Sequence, residues 1–147
     1  MNLLEINQDV LFYLCTFLLD DEIINLFCIC KCFYPYTRIY KFNEFHSYDK
    51  VIKKSYFENF VAINKYHGGK LHNNIKKLCI KRKTTLEDFS HFLPDNIEYL
   101  KFYFDKKNPM PKGLPQNLKQ LCILNQKHSK FNYSNLPKSL CHMNEIH

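Results

Sequence analysis

Seven cysteines and seven histidines are the residues of this chain best suited to hold a metal or act as nucleophiles. The densest group is Cys28-Ile29-Cys30-Lys31-Cys32. On a helix, Cys28 and Cys32 would share a face while Cys30 pointed elsewhere, so the three thiolates could not converge on one ion. No Cys-x-x-Cys pair lies nearby, and His46 is 14 residues from Cys32. The thiols therefore read as buried helix side chains, and no metal is expected. The histidines are scattered, and a solvated surface position is expected for each. There is no glycine-rich phosphate loop, no Cys/His/Asp arrangement and no pair of carboxylates at an informative spacing. Neither an enzyme nor a cofactor is expected.

A second chemistry is suggested by lysines interleaved with aromatic residues, which can bind single-stranded nucleic acid by stacking. The chain has 147 residues and a formal net charge of +7. Residues 1–36 carry five acids (Glu5, Asp9, Asp20, Asp21, Glu22) against Lys31, a net of −4, so residues 37–147 carry +11. Only Arg38 and Arg82 are arginines, whereas the chain has fifteen asparagines and one alanine. Such a balance follows from A/T-rich codons as readily as from selection for a polyanion. Arginine, the usual base-edge and stacking cation, is nearly absent, so nucleic acid is not expected as the partner. The odd cysteine count, and an opening Met1-Asn2-Leu3-Leu4-Glu5 without a basic stretch, fit free thiols in a reducing compartment. The cytoplasm or the nucleus is therefore the expected compartment. The longest apolar run, Val10 to Leu19, is ten residues, too short to span a bilayer.

The elements that must carry any site fall into three parts. In residues 1–36, Val10, Leu11, Leu14, Phe17 and Leu18 lie on one face of a helix of about three turns starting at Gln8. Asp20 is an N-cap candidate, with Asp21 and Glu22 in the following first turn. Ile23, Leu26, Phe27 and Cys30 continue at helical spacing, and a third segment, Lys31 to Tyr36, is stopped by Pro35. A bundle this small cannot bury both faces of its helices, so the following chain or a partner must cover what is left. Residues 37–70 form an aromatic, basic connecting segment, helical in part. Its Val51, Ile52, Tyr56, Phe57, Phe60 and Val61 fit a helical stripe between Asp49 and Asn64, capped by Ser47 or Asp49 and ended by Gly68-Gly69.

The third part repeats. Leu93-Pro94-Asp95-Asn96-Ile97-Glu98-Tyr99-Leu100-Lys101-Phe102 returns as Leu114-Pro115-Gln116-Asn117-Leu118-Lys119-Gln120-Leu121-Cys122-Ile123, and again from Leu136-Pro137. A degenerate copy begins at Leu71-His72, with His in place of Pro, so the leading leucines are spaced 22, 21 and 22 residues apart. The units are 71–92, 93–113, 114–135 and 136–147. A Leu-x-x-Leu-x-Leu pattern at this period is the signature of a leucine-rich-type solenoid. Ile75/Leu78/Ile80, Ile97/Leu100/Phe102 and Leu118/Leu121/Ile123 should stack as core columns, with Glu145 entering a column in the last unit. Residues between them point outward on a strand. This gives the columns Lys77/Tyr99/Gln120/His142, Cys79/Lys101/Cys122/Asn144 and Lys81/Tyr103/Leu124.

Residues 6–36 resemble the F-box, the helical motif that docks substrate receptors on the Skp-type adaptor of cullin–RING ubiquitin ligases. Ile6-Asn7-Gln8-Asp9-Val10-Leu11 stands where the family opens with Leu-Pro-x-Glu-Leu/Val-Leu. Glu22-Ile23-Ile24-Asn25-Leu26 matches Asp-Leu-Leu-x-Leu, and Ile29-Cys30-Lys31-Cys32-Phe33 matches the closing Val-Cys-Lys-x-Trp/Phe. Ile6-Asn7 in place of Leu-Pro is the departure. Residues 71–147 resemble FNIP repeats, which giant DNA viruses and social amoebae attach to F-boxes. Phe131-Asn132 keeps the Phe-Asn signature, while Asn108-Pro109-Met110 and Phe89-Ser90 keep parts of it. The resemblances imply an α+β chain: a three-helix F-box-like module followed by a short leucine-rich-repeat-like solenoid. They also imply a substrate receptor whose adaptor-binding residues are Ile6, Val10, Leu11, Leu14, Phe17, Leu18, Ile23, Leu26, Ile29 and Phe33. The target would meet Lys77, Tyr99, Lys101, Tyr103, Gln120, Leu124 and His142. A basic nucleic-acid-binding protein, a decoy or degenerate member without ligase activity, and a plain helical cap on the repeats remain the alternatives.

Overall fold

The repeat motif bends the chain in the same way in each of its four copies. The carbonyl of the second residue accepts from the amide of the fifth: Ile75 N to His72 O, Ile97 N to Pro94 O and Leu118 N to Pro115 O at 3.2 Å, and Leu140 N to Pro137 O at 3.1 Å. The fourth residue then fastens its turn to the one before. The Asn96 amide donates to the carbonyls of Asn73 and Ile75, and the Ser139 hydroxyl to those of Gln116 and Leu118. Asn74 does the same toward Glu58 O at 2.9 Å. The sixth residue's carbonyl takes two amides of the next turn: Lys76 O from Glu98 and Tyr99, Glu98 O from Lys119 and Gln120, and Lys119 O from Cys141 and His142. Backbone groups left over at each bend are thus satisfied by the neighbouring bend.

The computed structural model describes residues 6–29, 31–69, 71–80, 93–104, 113–125, 134 and 136–146. Cys30, Lys81, Phe89-Ser90, Asn108-Pro109-Met110 and Phe131-Asn132 lie outside the described residues. The elements are α1 (Gln8–Cys15), α2 (Asp20–Ile29), a 3-10 turn (Tyr34–Arg38), β1 (Phe42–Ser47), α3 (Tyr48–Val51), a second 3-10 turn (Phe57–Asn59), β2 (Phe60–Tyr66), β3 (Lys77–Ile80), β4 (Tyr99–Phe104), β5 (Gln120–Asn125) and β6 (His142–Ile146). The six strands form one parallel sheet in chain order, a solenoid with few helices. No helix among the described residues is long and apolar enough to cross a membrane.

The columns stand in the expected register. Leu78, Leu100, Leu121 and Met143 are successive partners, as are Phe102, Ile123 and Glu145. Ile75, Leu78, Ile97, Leu100, Phe102, Leu118 and Ile123 are fully inaccessible. Parallel strands need a crossover between them, which a repeat of about 22 residues per strand provides.

Residues 37–70 correct the expectation of a helical stripe. Among the described residues only Tyr48–Val51 forms an α-helix there, and β1 and β2 add two further turns to the solenoid. Phe45 partners Ala62, which partners Lys77, so these turns are 17 and 15 residues long and lack the 22-residue period. The strand was disguised because Phe60, Ala62 and Ile63 are all buried, leaving no alternation of period two. Gly68 and Gly69 have φ of +115° and +108°, a region that favours glycine, where the chain turns after β2.

The N-terminal segment packs on the β1 end of this stack. Two α-helices are present, and what was expected as a third segment stopped by Pro35 is a 3-10 turn from Tyr34 with Pro35 in its first turn, where proline is tolerated. A band of rings joins the helices to the sheet. Phe12 and Phe27 lie against Tyr36 and Tyr40, Tyr40 against Phe42, and Phe42 stacks on Phe60 at 4.9 Å. One hydrophobic cluster therefore runs from Leu11 in α1 to Ile123 in β5.

Two further expectations change. Cys28 and Cys32 are exposed, not buried: Cys28 lies on α2 away from its buried Ile23 and Phe27, and Cys32 lies beyond the end of that helix at Ile29. His46 and His72 are not solvated: the His46 side chain is 11 % exposed and His72 is buried.

Candidate interaction surfaces

The helical module is built on short, well-capped helices. Asn7, standing where the F-box opening that residues 6–11 resemble has proline, caps α1 by accepting from Asp9 N at 2.9 Å. In α2, the Leu19 carbonyl accepts from Glu22 and Ile23, and Glu22 Oε2 accepts from Leu19 N at 2.8 Å, a reciprocal capping pair. Asp20 is therefore the first helical residue and not the cap. Its buried carboxylate faces the solenoid, where Oδ2 accepts from Glu44 N at 2.7 Å and lies 3.2 Å from His46 Nε2. Glu44 Oε2 in turn accepts from Asp20 N at 3.2 Å. Reciprocal charge-assisted bonds of this kind fix the helix N-terminus on β1. The long-range role of Asp20, Glu44 and His46 leaves no local periodicity in the sequence.

The inner faces of both helices are used up by the fold. Leu11, Cys15, Ile23, Phe27 and Phe33 are buried, and burial pushes the Cys15 thiol up from its ordinary value. Leu11, Ile23 and Phe33 are thus corrected from docking residues to core residues, because their side chains already face the chain's own aromatic band. Ile6 and Leu26 are half-buried against the same core. The remaining members of the set look outward: Val10, Leu14, Phe17, Leu18 and Ile29 are exposed, Phe17 by 69 % and Ile29 by 83 %. Tyr13 and Leu19 are exposed with them, and the Tyr13 and Phe17 rings meet edge-on at 5.2 Å. Along α1 and the turn after it, Val10, Tyr13, Leu14, Phe17, Leu18 and Leu19 form a run of exposed apolar side chains that water alone does not explain.

The second surface is the outer face of the sheet. Lys77, Tyr99, Gln120 and His142 are successive partners, and so are Cys79, Lys101, Cys122 and Asn144; Tyr103 pairs with Leu124. The structure brings the seven expected residues of this face together on neighbouring strands. Lys77, Gln120 and His142 are exposed, and Tyr99, Lys101, Tyr103 and Leu124 half-buried. Two residues on this face were not anticipated. Phe45 of β1 reaches Tyr99 with ring centroids 5.9 Å apart, and Ala62, fully buried, lies in the column between them. The one alanine of the chain fits where a larger side chain would meet those rings.

Among the described residues, no three His, Cys, Asp or Glu side chains are grouped so as to hold a metal ion. A shallow depression of about 440 Å³ is lined by Arg38, Ile52, Lys54, Ser55, Tyr56, Phe57, Glu58 and Asn59, away from both surfaces.

Two curated proteins of Acanthamoeba polyphaga mimivirus resemble the chain. One, named an FNIP repeat-containing protein, is 32 % identical over 119 residues, covering 78 % of this chain and 26 % of the relative. The other, named an F-box and FNIP repeat-containing protein, is 34 % identical over 59 residues, 40 % of this chain and 11 % of the relative. The likeness supports FNIP repeats. The chain spans about a quarter or less of the length of these relatives. No family model matches it, and no solved structure does.

Proposed function

We propose that the chain is a protein-interaction adaptor rather than an enzyme. Its helical module docks on the Skp-type adaptor of a cullin–RING ubiquitin ligase, and its sheet face receives the protein to be ubiquitylated. The observation that carries this reading is the exposed apolar run Val10, Tyr13, Leu14, Phe17, Leu18 and Leu19 along α1 and the turn after it, in a module whose inner helix faces are already packed. A helical cap that served the solenoid alone would gain nothing from an apolar outer face. The F-box resemblance of residues 6–36 and the relative named for an F-box support the choice of partner.

Co-purification with a Skp-type adaptor tests it. The wild-type chain should retain the adaptor, and Phe17→Asp should weaken retention by about tenfold or more, as loss of an aromatic anchor does. Leu11→Asp is unsuitable as the docking variant: Leu11 is 2 % exposed, and a buried carboxylate there would unfold the module. Failure of the folded wild-type chain to retain the adaptor overturns the proposal.

A further inference from the structure

The outer face of the sheet has a one-sided charge. Its three columns carry Lys77, Lys101 and His142 and, among the described residues, no Asp or Glu. Glu98, next to Tyr99 in sequence, sits in the preceding turn, bound to Lys76 at 3.0 Å and Lys119 at 2.8 Å. Neither Lys77 nor Lys101 pairs with a carboxylate of a described residue. Lys101 is half-buried between its strand partners Cys79 and Cys122. Burial pushes the Cys79 thiol up to about 11, so it is neutral near pH 7 and offsets no lysine charge. A half-buried ammonium without a counter-ion is stabilised by an anion brought to it.

The apolar residues of the face are also spaced. Phe45 and Tyr99 close over Ala62 beside Lys77, while Tyr103 and Leu124 lie two residues further along their strands from Lys101 and Cys122. We propose that this face takes an extended acidic polypeptide segment, with carboxylates on Lys77 and Lys101 and apolar side chains against the Phe45–Tyr99 ridge and the Tyr103–Leu124 pair. The proposal rests on the reading of this face as the target surface and names the target's chemistry. Single-stranded nucleic acid suits the face less well: its columns hold no arginine among the described residues, and the Phe45 and Tyr99 rings already contact one another.

Fluorescence anisotropy with the full chain tests the assignment, using labelled peptides of alternating Glu and Tyr, the same peptide with Gln for Glu, and oligothymidylate. The Glu peptide should bind at least tenfold more tightly than the Gln peptide, and more tightly than oligothymidylate. Lys77→Glu with Lys101→Glu should weaken it by about tenfold, and added salt should weaken it further. Because Lys101 is half-buried, Lys77→Glu alone, at an exposed position, is the second variant, with a loss of about threefold expected. Equal affinity for the Glu and Gln peptides, indifference to Lys77→Glu in folded protein, or preference for oligothymidylate overturns the proposal. Retention of the Skp-type adaptor is measured on the same samples. Lys77→Glu should keep the adaptor and bind peptide more weakly, while Phe17→Asp should lose the adaptor and keep full peptide affinity. Absent peptide binding with the adaptor retained overturns only the acidic assignment, and loss of adaptor docking by the wild type overturns the docking reading.

Discussion

The two ends of the hydrophobic column are finished differently. At the β1 end, Phe27, Phe42 and Phe60 are fully inaccessible, sealed by α1, α2 and the ring band between them. At the β6 end, Leu136, Leu140 and Met143 are only half-buried, and Glu145 occupies the column position beside Ile123. A stack of repeats gains stability from each neighbouring turn, so a strand with a neighbour on one side gains about half as much. The helices therefore do two things. Their inner faces replace the missing neighbour of β1, and their outer faces are left free to be apolar for another purpose.

Truncating a side chain at each end should expose that contrast most strongly. Phe60→Ala should cost about 3–5 kcal/mol, since a fully buried ring leaves a cavity that close-packed neighbours cannot fill. Met143→Ala, at a half-buried position, should cost about 1–2 kcal/mol. Urea unfolding followed by far-ultraviolet circular dichroism measures both, and equal losses would mean that the two ends are equally closed.

A smaller contrast lies in the clips between turns. Asn96→Ala removes the donor to Asn73 O and Ile75 O in the middle of the stack, and about 1–2 kcal/mol should be lost. Ser139→Ala removes the equivalent clip to Gln116 O and Leu118 O in the last turn and should cost about 0.5–1 kcal/mol. A larger loss at Ser139 than at Asn96 would reverse the ordering of the two ends.

The repeats were legible because the same residue types recur at the same offsets, and that recurrence fixes register: Leu78, Leu100 and Leu121 could be aligned before any strand was seen. Where the offsets change, the signal fails. The turns ending in β2 and β3 lack the Leu-Pro opening and are shorter, and β2 is covered on both faces, so Phe60–Tyr66 read as part of a helix. On the helices, apolar residues line both sides, and spacing alone cannot tell which side meets the chain's own core. Leu11 and Val10 are adjacent, yet Leu11 is buried and Val10 is exposed. The Asp20–Glu44–His46 clasp joins residues more than twenty positions apart, so no local pattern announces it.

The smallest effect separates the turns by charge. Glu98 bridges Lys119 and Lys76 from the turns on either side of it, linking three turns of the middle of the stack. The hydrogen bond from Lys119, and then that from Lys76, hold the Glu98 carboxyl below its ordinary value of 4.5. A carboxylate whose pKa is lower in the folded chain binds fewer protons there than when unfolded. Its stabilising contribution is therefore complete above the ordinary value and is lost as pH falls through the folded value. Because the three side chains are partly open to solvent, the contribution is screened to a few tenths of a kcal/mol up to about 1 kcal/mol. Glu98→Gln should accordingly melt up to about 2–4 °C below the wild type at pH 7. The gap should narrow as pH drops below 4.5, and also with added salt. A gap that widened on acidification would mean that the bridge is not what Glu98 contributes to the stack.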